Sequence, residues 1–340
     1  MSLYTPPQEV MSSRHATIGA LFHARVPAHP EHRAVVEGER VLSYGELEER
    51  SNRLANALLA DGLKRGDRVG LLARNCLEYV EIELAAAKAG LIVACLNWRL
   101  GDRELQHCIN LVEAAVVIVQ PDLTETLDRL ELSPHRRLAL GAEYEAFMTA
   151  GSADYPDLDI DPEDGLVILY TSGTTGLPKG AQHSHNTAMW AIITFSITAE
   201  FRYKDRFAIA LPMFHVGALL PVIVTFYIGG TAILMRQFDP KQMWEITERE
   251  KLTVNLAVPA MLNFMLMVPE FEKYDYSHLR WIMSGGSPVP ASLIESYKDI
   301  GIEVHQVYGL TEACGPGTLI SPDDAMVRIG SAGKASFHTT

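Results

Sequence analysis

The sequence predicts an α/β fold made of doubly wound βαβ units arranged in two stacked lobes. Short apolar runs rich in β-branched residues alternate along the chain with segments of helical period, which is the pattern of parallel strands joined by helices. A length of 340 residues with 48% hydrophobic content is sufficient for two or three α/β units with a large buried interior.

Local signals place the elements along the chain. Residues 34–36 and 41–42 predict a hairpin, and Ser43 with Glu46 forms a capping box that begins a helix. The polar, acidic residues 151–164 predict a connector. Further strands are predicted at residues 68–72, 91–94, 116–119, 165–170, 207–210, 231–234, 253–256, 281–283 and 303–305.

Composition narrows the class of protein. A net charge of −13 argues against a general nucleic-acid surface, which needs a basic patch. The four cysteines form no CxxC pair, so we expect neither a zinc site nor a disulfide framework, and we expect a cytoplasmic location. No window approaches about 18 uncharged apolar residues and no secretion signal opens the chain, so we expect no membrane span.

Residues 171–180, with the sequence TSGTTGLPKG, predict an anion-binding loop. Three glycines allow backbone N–H groups to approach a ligand, four hydroxyl side chains add donors, and Lys179 supplies a cation, which together suit a polyphosphate. A strand precedes the loop, and we expect a helix over residues 182–197 after it. The alternatives are a flexible surface loop and a nucleotide-kinase P-loop, but the latter needs Ser or Thr after the lysine, where this chain has Gly180.

Three further blocks follow predicted strands of the second half. They are residues 211–218, 284–288 and 308–312. Because ligands bind outside the carboxyl ends of parallel strands, we expect these blocks to face one crevice.

Each block has a chemical use and an ordinary structural alternative. Gly285 and Gly286 can lie against a flat ring, Tyr308 can stack on a base, Thr311 can donate to a phosphate, and Glu312 can hold a magnesium ion. Taken singly, a glycine pair is usually a turn, a tyrosine is usually core and a glutamate is usually solvated. Together, behind one phosphate loop, they predict ATP with Mg²⁺.

These blocks resemble those of the adenylate-forming enzymes, which include acyl-CoA and aryl-CoA ligases, luciferases and peptide-synthetase adenylation domains. The resemblance covers residues 14–335 and implies a large N-terminal AMP-binding domain over the whole chain. Its first lobe would comprise residues 50–200, its second lobe residues 14–48 with 205–320, and residues 321–340 would begin an incomplete barrel region. It also implies an acid–CoA ligase that uses ATP, Mg²⁺ and CoA, with a homodimer left open.

The resemblance assigns roles to individual residues. Lys179, His215, Thr311 and Glu312 would be catalytic, with Glu312 holding the metal. His183 and His185 are interpreted as the structural start of a helix. Nucleotide contacts are implied for Thr171, Ser172, Gly173, Thr174, Thr175, Gly176, Lys179, Gly285, Gly286, Ser287, Pro288, Gln306, Tyr308, Gly309 and Thr311.

The acid would lie beside residues 211–218. His215 is interpreted as a gate or orienting residue, because a carboxylate is already ionised at pH 7 and needs no base. Phe214 is followed by this histidine rather than by the aspartate that pairs with an amino-acid substrate, and Gly217 leaves room for a medium-chain, alicyclic or aromatic acid. The pocket is predicted to contain Met213, His215, Val216, Gly217, Leu219, Met261, Gly285, Gly309 and Ala313.

The family also carries a mobile C-terminal domain with a ribose-binding aspartate and a catalytic lysine. No counterpart is found here, and Lys334 lies too early to serve. We therefore expect a fragment of a longer ligase that binds ATP weakly and adenylates poorly. A catalytically silent nucleotide- or acyl-binding protein, a carrier-protein-loading enzyme and a luciferase-like oxygenase are the alternatives.

Overall fold

Two β-sheets with packed helices organise the chain in the computed structural model, which describes residues 16–132, 136–172 and 176–336. The described helices are α1 (Ile18–Arg25), α2 (Tyr44–Ala60), α3 (Leu77–Ala89), α4 (Asp102–Leu111), α5 (Thr124–Asp128), α6 (Ala142–Thr149), α7 (His185–Thr198), α8 (Val216–Tyr227), α9 (Pro240–Glu250), α10 (Pro259–Leu266), α11 (Ala291–Asp299) and α12 (Pro322–Ala325). The described strands are β1 (Arg33–Glu37), β2 (Arg40–Ser43), β3 (Arg68–Leu72), β4 (Ile92–Cys95), β5 (Val116–Val119), β6 (Arg136–Ala139), β7 (Gly165–Thr171), β8 (Lys179–Ser184), β9 (Arg206–Ile209), β10 (Thr231–Leu234), β11 (Val254–Leu256), β12 (Trp281–Ser284), β13 (Glu303–Leu310), β14 (Gly315–Leu319) and β15 (Lys334–Ala335).

The sheets have nine and six strands. The larger follows the order β15-β14-β13-β12-β11-β9-β10-β1-β2, and the smaller follows β6-β5-β3-β4-β7-β8. The early hairpin β1–β2 thus joins the sheet built mainly from the second half of the chain. The described strands form no closed barrel, since β14 and β15 only extend the larger sheet. The proposed division into lobes at the residue boundaries given above stays a prediction.

The strand pattern confirms the α/β class, but the sheets are mixed rather than purely parallel. Parallel pairing runs through β3 to β7 and through β9 to β13, as the alternation of strands and helices predicts. The pairs β1–β2, β7–β8, β13–β14 and β14–β15 are antiparallel. Short connections cannot return a chain to a parallel neighbour, so the hairpins β1–β2, β7–β8 and β13–β14 must be antiparallel.

The predicted helix after the glycine-rich loop begins three residues later than expected. Residues 182–184 belong to β8, which pairs with β7, and α7 begins at His185. Ser184 marks the change, because its Oγ accepts a hydrogen bond from the Thr187 amide as the N-cap of α7. The expectation that residue 182 is helical is therefore wrong. The capping box of Ser43 and Glu46 is confirmed at the start of α2.

Asn75 joins the two sheets. It lies between β3 and α3 of the smaller sheet and is 3% exposed. Its Oδ1 accepts from the Met213 amide at 2.9 Å. Its Nδ2 donates to three carbonyl oxygens that follow or end strands of the larger sheet, those of Ile209 at 3.2 Å, Leu211 at 2.8 Å and Met235 at 3.1 Å. One side chain thereby fixes the segment after β9 against the smaller sheet.

A buried charge network lies between α2 and α3. The fully buried Lys88 ammonium contacts Glu48 Oε2 at 2.6 Å, Ser51 Oγ at 2.6 Å and Asn52 Oδ1 at 2.8 Å. Burial lowers the pKa of Lys88 to about 8, although the Glu48 carboxylate opposes the change. The network satisfies all three ammonium protons, which is the condition for keeping a charge in a protein interior.

None of the helices in the described part of the chain combines the length and apolar character needed to cross a membrane. The most apolar segment lies in α8, where residues 218–222 are buried between other elements.

We expect Asn75→Ala to lower the midpoint of urea unfolding. The substitution leaves the Met213 amide and several carbonyl groups without this partner, and each buried polar group left unpaired costs about 1–3 kcal/mol. Asn263→Ala is the matched control, because Asn263 is exposed on α10. Equal midpoints for the two variants would show that the Asn75 contacts contribute nothing to the fold.

Candidate active site

Three of the sequence blocks meet at one edge of the larger sheet. Residues 211–218 follow β9 and residues 284–288 follow or end β12, while residues 308–312 complete β13 and enter a 3₁₀ turn. They border a cavity of about 430 Å³. From these blocks, the residues that line the cavity are Leu211, His215, Val216, Gly217, Gly285, Gly286, Gly309 and Thr311.

The described residues of the glycine-rich block, 171–172 and 176–180, belong to the β7–β8 hairpin and its turn. Thr171, at the end of β7, is the pairing partner of Lys179, at the start of β8. Gly176 has a φ of +88°, a left-handed conformation that favours glycine. Ser172 and Lys179 are exposed at this turn. Residues 173–175, which carry three of the predicted phosphate contacts, lie outside the described residues.

His183 connects this hairpin to the block at residues 308–312. Its ring, on β8, is buried, and the Thr311 backbone and the Glu312 charge act to raise its pKa. Burial nevertheless lowers the pKa of His183, so its neutral form is favoured at pH 7. The interpretation of His183 as part of a helix start is wrong, because it lies in a strand. His185 does begin α7, and its Nδ1 accepts from the Ile18 amide at 3.1 Å.

Bare backbone borders the cavity after β12. A Cβ on Gly285 would lie 2.3 Å from the Val307 carbonyl oxygen, so no side chain fits there. Gly286 has a φ of +79°, which also favours glycine. Gly286, Ser287 and Pro288 are exposed. This surface can accept the face of a planar ring.

Tyr308 lies on β13 between Val307 and Gly309, which line the cavity, but it is not itself one of the lining residues. Its side chain is 53% exposed, which is unusual for a large aromatic residue inside a strand. Gly309 follows it, and a Cβ there would lie 2.4 Å from the Gly315 carbonyl oxygen on β14. The sequence places Tyr308 after the strand, but pairing with β14 extends β13 through residue 310. Gln306 is buried, and its Nε2 donates to the Ser331 carbonyl oxygen at 2.9 Å.

His215 occupies the N-cap position of α8 within a cluster of aromatic and cationic groups. Its ring centroid lies 4.5 Å from that of Phe214. The Arg99 guanidinium lies over the rings of Trp98 at 4.8 Å and Phe214 at 6.0 Å. Partial burial, and then the Arg99 charge, lower the pKa of His215, so its imidazole is favoured as the neutral form at pH 7.

Sequence reasoning missed Trp98, Arg99 and Asn75. Trp98 and Arg99 follow β4, and Asn75 follows β3, so all three lie beyond the carboxyl ends of parallel strands in the smaller sheet. The same rule that located the blocks of the larger sheet would have found them.

The predicted acid pocket divides into two groups. His215, Val216, Gly217, Gly285 and Gly309 line the 430 Å³ cavity. The other four predicted residues lie elsewhere. Met213 is buried beneath the turn, Leu219 borders a second cavity, Met261 borders a cleft with Trp98 and Arg99, and Ala313 is exposed.

Glu312 is exposed in the 3₁₀ turn that follows β13. Within the described ranges, no group of three or more His, Cys, Asp or Glu side chains could hold a metal ion. A single exposed carboxylate suits Mg²⁺ that is bound mainly by phosphate oxygens and water, because this ion keeps several waters and needs few protein ligands. The Glu312 carboxylate is therefore the kind of ligand that the predicted Mg²⁺ role requires.

Comparison with known proteins places this geometry in a family. The family model described as AMP-binding enzyme matches residues 22–340. A long-chain-fatty-acid–CoA ligase of Mycobacterium tuberculosis is 38% identical over 329 residues, which are 95% of this chain and 65% of that protein. A feruloyl-CoA synthase of Amycolatopsis is 37% identical over 329 residues, or 96% of this chain and 66% of that protein. The chain thus spans about two thirds of the length of these relatives.

Solved structures agree with the sequence comparison. The inhibitor-bound N-terminal domain of FACL13 from Mycobacterium tuberculosis superposes with a TM-score of 0.90 at 36% identity, covering 94% of this chain and 82% of that one. The chain therefore belongs to the AMP-binding enzyme family, and its fold is that of the N-terminal domain of adenylate-forming enzymes.

Proposed function

We propose that this protein acts in an ATP-dependent, AMP-forming acid–CoA ligase reaction. The observation that carries the proposal is the arrangement of three sequence blocks around one 430 Å³ cavity, with the glycine-rich hairpin packed against the turn that follows β13. Relatives named as ligases of fatty acids, ferulate and indoleacetate support the reaction class.

In the first step, a carboxylate oxygen attacks the α-phosphorus of ATP. The bond between that phosphorus and the bridging oxygen of the β-phosphate breaks, and pyrophosphate leaves. In the second step, the sulfur of CoA attacks the acyl carbonyl carbon, the thiol proton is lost, and AMP leaves. Keeping water out of the site protects the acyl-adenylate from hydrolysis.

The phosphates would lie between the glycine-rich hairpin and the turn after β13. Lys179 and the loop from Thr171 to Gly176 would bind the β- and γ-phosphates, and the Thr311 hydroxyl would donate to the α-phosphate. Mg²⁺ held by Glu312 and phosphate oxygens would neutralise charge on the phosphates. Lys179 is exposed at the start of β8, where it is accessible to a polyphosphate.

Adenine would lie against the backbone of Gly285 and Gly286, with Tyr308 as its aromatic neighbour. The proposal is supported by the exposure of the Tyr308 ring and by the close packing that keeps Gly285 free of a side chain. Ser287, Pro288 and Gly309 complete the surface on which the base and ribose would lie. Gln306 would support this surface from behind, because its side-chain amide donates a hydrogen bond to the Ser331 carbonyl oxygen.

The acid would occupy the 430 Å³ cavity, beside His215. Apolar side chains make most of the wall, together with Gly217 and Gly309. The volume lies within the usual range of about 300–1,000 Å³ for small-molecule sites. These features suit a medium-chain, alicyclic or aromatic acid, and a neutral His215 would orient the carboxylate rather than remove a proton from it.

A carrier-protein thiol is the second candidate acceptor. A fatty acid–[acyl-carrier-protein] ligase of Streptomyces coeruleorubidus is 33% identical over 326 residues, which are 93% of this chain and 62% of that protein. Adenylation would be the same with either acceptor. Thioester formation with purified CoA and with a phosphopantetheinylated carrier protein separates the two.

The cysteines of the chain are free thiols, which is the state expected in a reducing compartment. Cys76, Cys95, Cys108 and Cys314 are all buried and free. We propose a cytoplasmic location on this basis.

We expect Lys179→Ala and Glu312→Ala to impair nucleotide handling. Loss of the lysine contact should weaken ATP binding about tenfold or more, because a hydrogen bond to a charged group is worth about 1.5–3 kcal/mol. Equilibrium titration with Mg-ATP and carboxylate-dependent ATP–pyrophosphate exchange measure the effects. Lys241→Ala is the control, since Lys241 is exposed on α9. Unchanged binding and exchange in both site variants would refute the phosphate assignment.

We expect Gly217→Trp to shift acid preference toward small acids. An added Cβ at Gly217 would lie 3.3 Å from Leu211 Cδ1, so even alanine needs a small adjustment and an indole would fill much of the cavity. The measurement is exchange activity across a series from acetate to bulky aromatic acids, with Gly217→Ala as the graded control. An unaltered profile in the tryptophan variant would remove Gly217 from the acid pocket.

A further inference from the structure

A second, smaller cavity lies on the other side of α8, and one glutamate contributes to its lining. Its volume is about 40 Å³, and it lies among α1, α3, α7, α8, β4 and β7. Apolar side chains make most of its wall, among them Phe22, Leu84, Val93, Val222 and Ile223. Glu83, on α3, is the one acidic residue in this lining.

The Glu83 carboxyl group has a weak partner. The Cys95 thiol lies 3.9 Å from Glu83 Oε1, and a thiol is a poor hydrogen-bond donor. Burial raises the pKa of Glu83 well above its usual range, against the smaller opposing effect of the Cys95 contact. Burial thus favours the neutral carboxylic acid form, which has one donor and further acceptor capacity.

The cavity is distinct from the proposed acid pocket because α8 separates them. Val216, Gly217 and Leu220 face the 430 Å³ cavity, whereas Leu219, Val222, Ile223 and Phe226 face the smaller one. Its floor is formed by fully buried residues such as Val93, and its rim includes the partly exposed Tyr227 and Leu21.

We propose that this cavity binds a neutral amphiphile, a short alkyl chain whose hydroxyl or carbonyl oxygen hydrogen-bonds to Glu83. The apolar wall excludes a charged ligand, because such a ligand would lose its hydration there. An alkyl group gains about fourfold in affinity for each methylene that is buried. One water needs about 10–15 Å³ of such space, so the cavity has room for a polar group and the first few carbons. The proposal is independent of the ligase reaction.

Isothermal titration with the straight-chain alcohols from 1-butanol to 1-hexanol tests the site. We expect saturable binding to the protein, with affinity that rises with chain length only up to the first few carbons that the 40 Å³ cavity can hold. Glu83→Leu removes the hydrogen bond and should weaken alcohol binding about tenfold, whereas Glu83→Gln keeps a donor and an acceptor and should stay within threefold.

Two further variants locate the bound alcohol. Val222→Phe, or the milder Val222→Leu if the first does not fold, should abolish or weaken binding by filling the cavity. Gly217→Trp, which alters the other face of α8, should leave it unchanged. The proposal is overturned if the protein shows no saturable binding, if Glu83→Leu binds as tightly as Glu83→Gln, or if Gly217→Trp abolishes binding while the Val222 variants retain it.

Discussion

The hydrogen bonds of Asn75 hold the two sheets together at the candidate site. This residue belongs to the smaller sheet, yet it accepts from the Met213 amide and donates to carbonyl oxygens after β9 and β10 of the larger sheet. His215 lies two residues beyond Met213. The turn that carries this histidine therefore depends on a contact with the other sheet, and the cavity beside α8 depends on that turn.

Close backbone packing is the second constraint, and it explains why glycines mark the site. At Gly285 and Gly309, carbonyl oxygens of neighbouring strands occupy the space that a Cβ would need. The strands can then present bare backbone toward the cavity, next to the exposed ring of Tyr308. The same geometry that packs β12, β13 and β14 tightly thus leaves a surface on which a planar group can lie.

Much of this arrangement was predictable from local sequence, because the glycine blocks and strand runs reflect requirements of a few adjacent residues. The remainder depends on contacts between distant segments. Residues 182–184 resemble a helix start in sequence, and only pairing with β7 makes them a strand. Arg99 and Asn75 have no motif around them, and their positions beside Phe214 and Met213 depend on how the sheets pack. Leu219 was assigned to the acid pocket, but the turn of α8 directs it to the opposite face.

The proposed function requires one cavity at the carboxyl edge of the larger sheet to bind both parts of an acyl-adenylate. A crystal structure of the protein with a non-hydrolysable acyl-adenylate analogue tests it most directly. We expect adenine between the Gly285–Gly286 backbone and Tyr308, with the acyl group in the 430 Å³ cavity beside Gly217. An analogue that binds outside this cavity, or that fails to bind at saturating concentration, would contradict it.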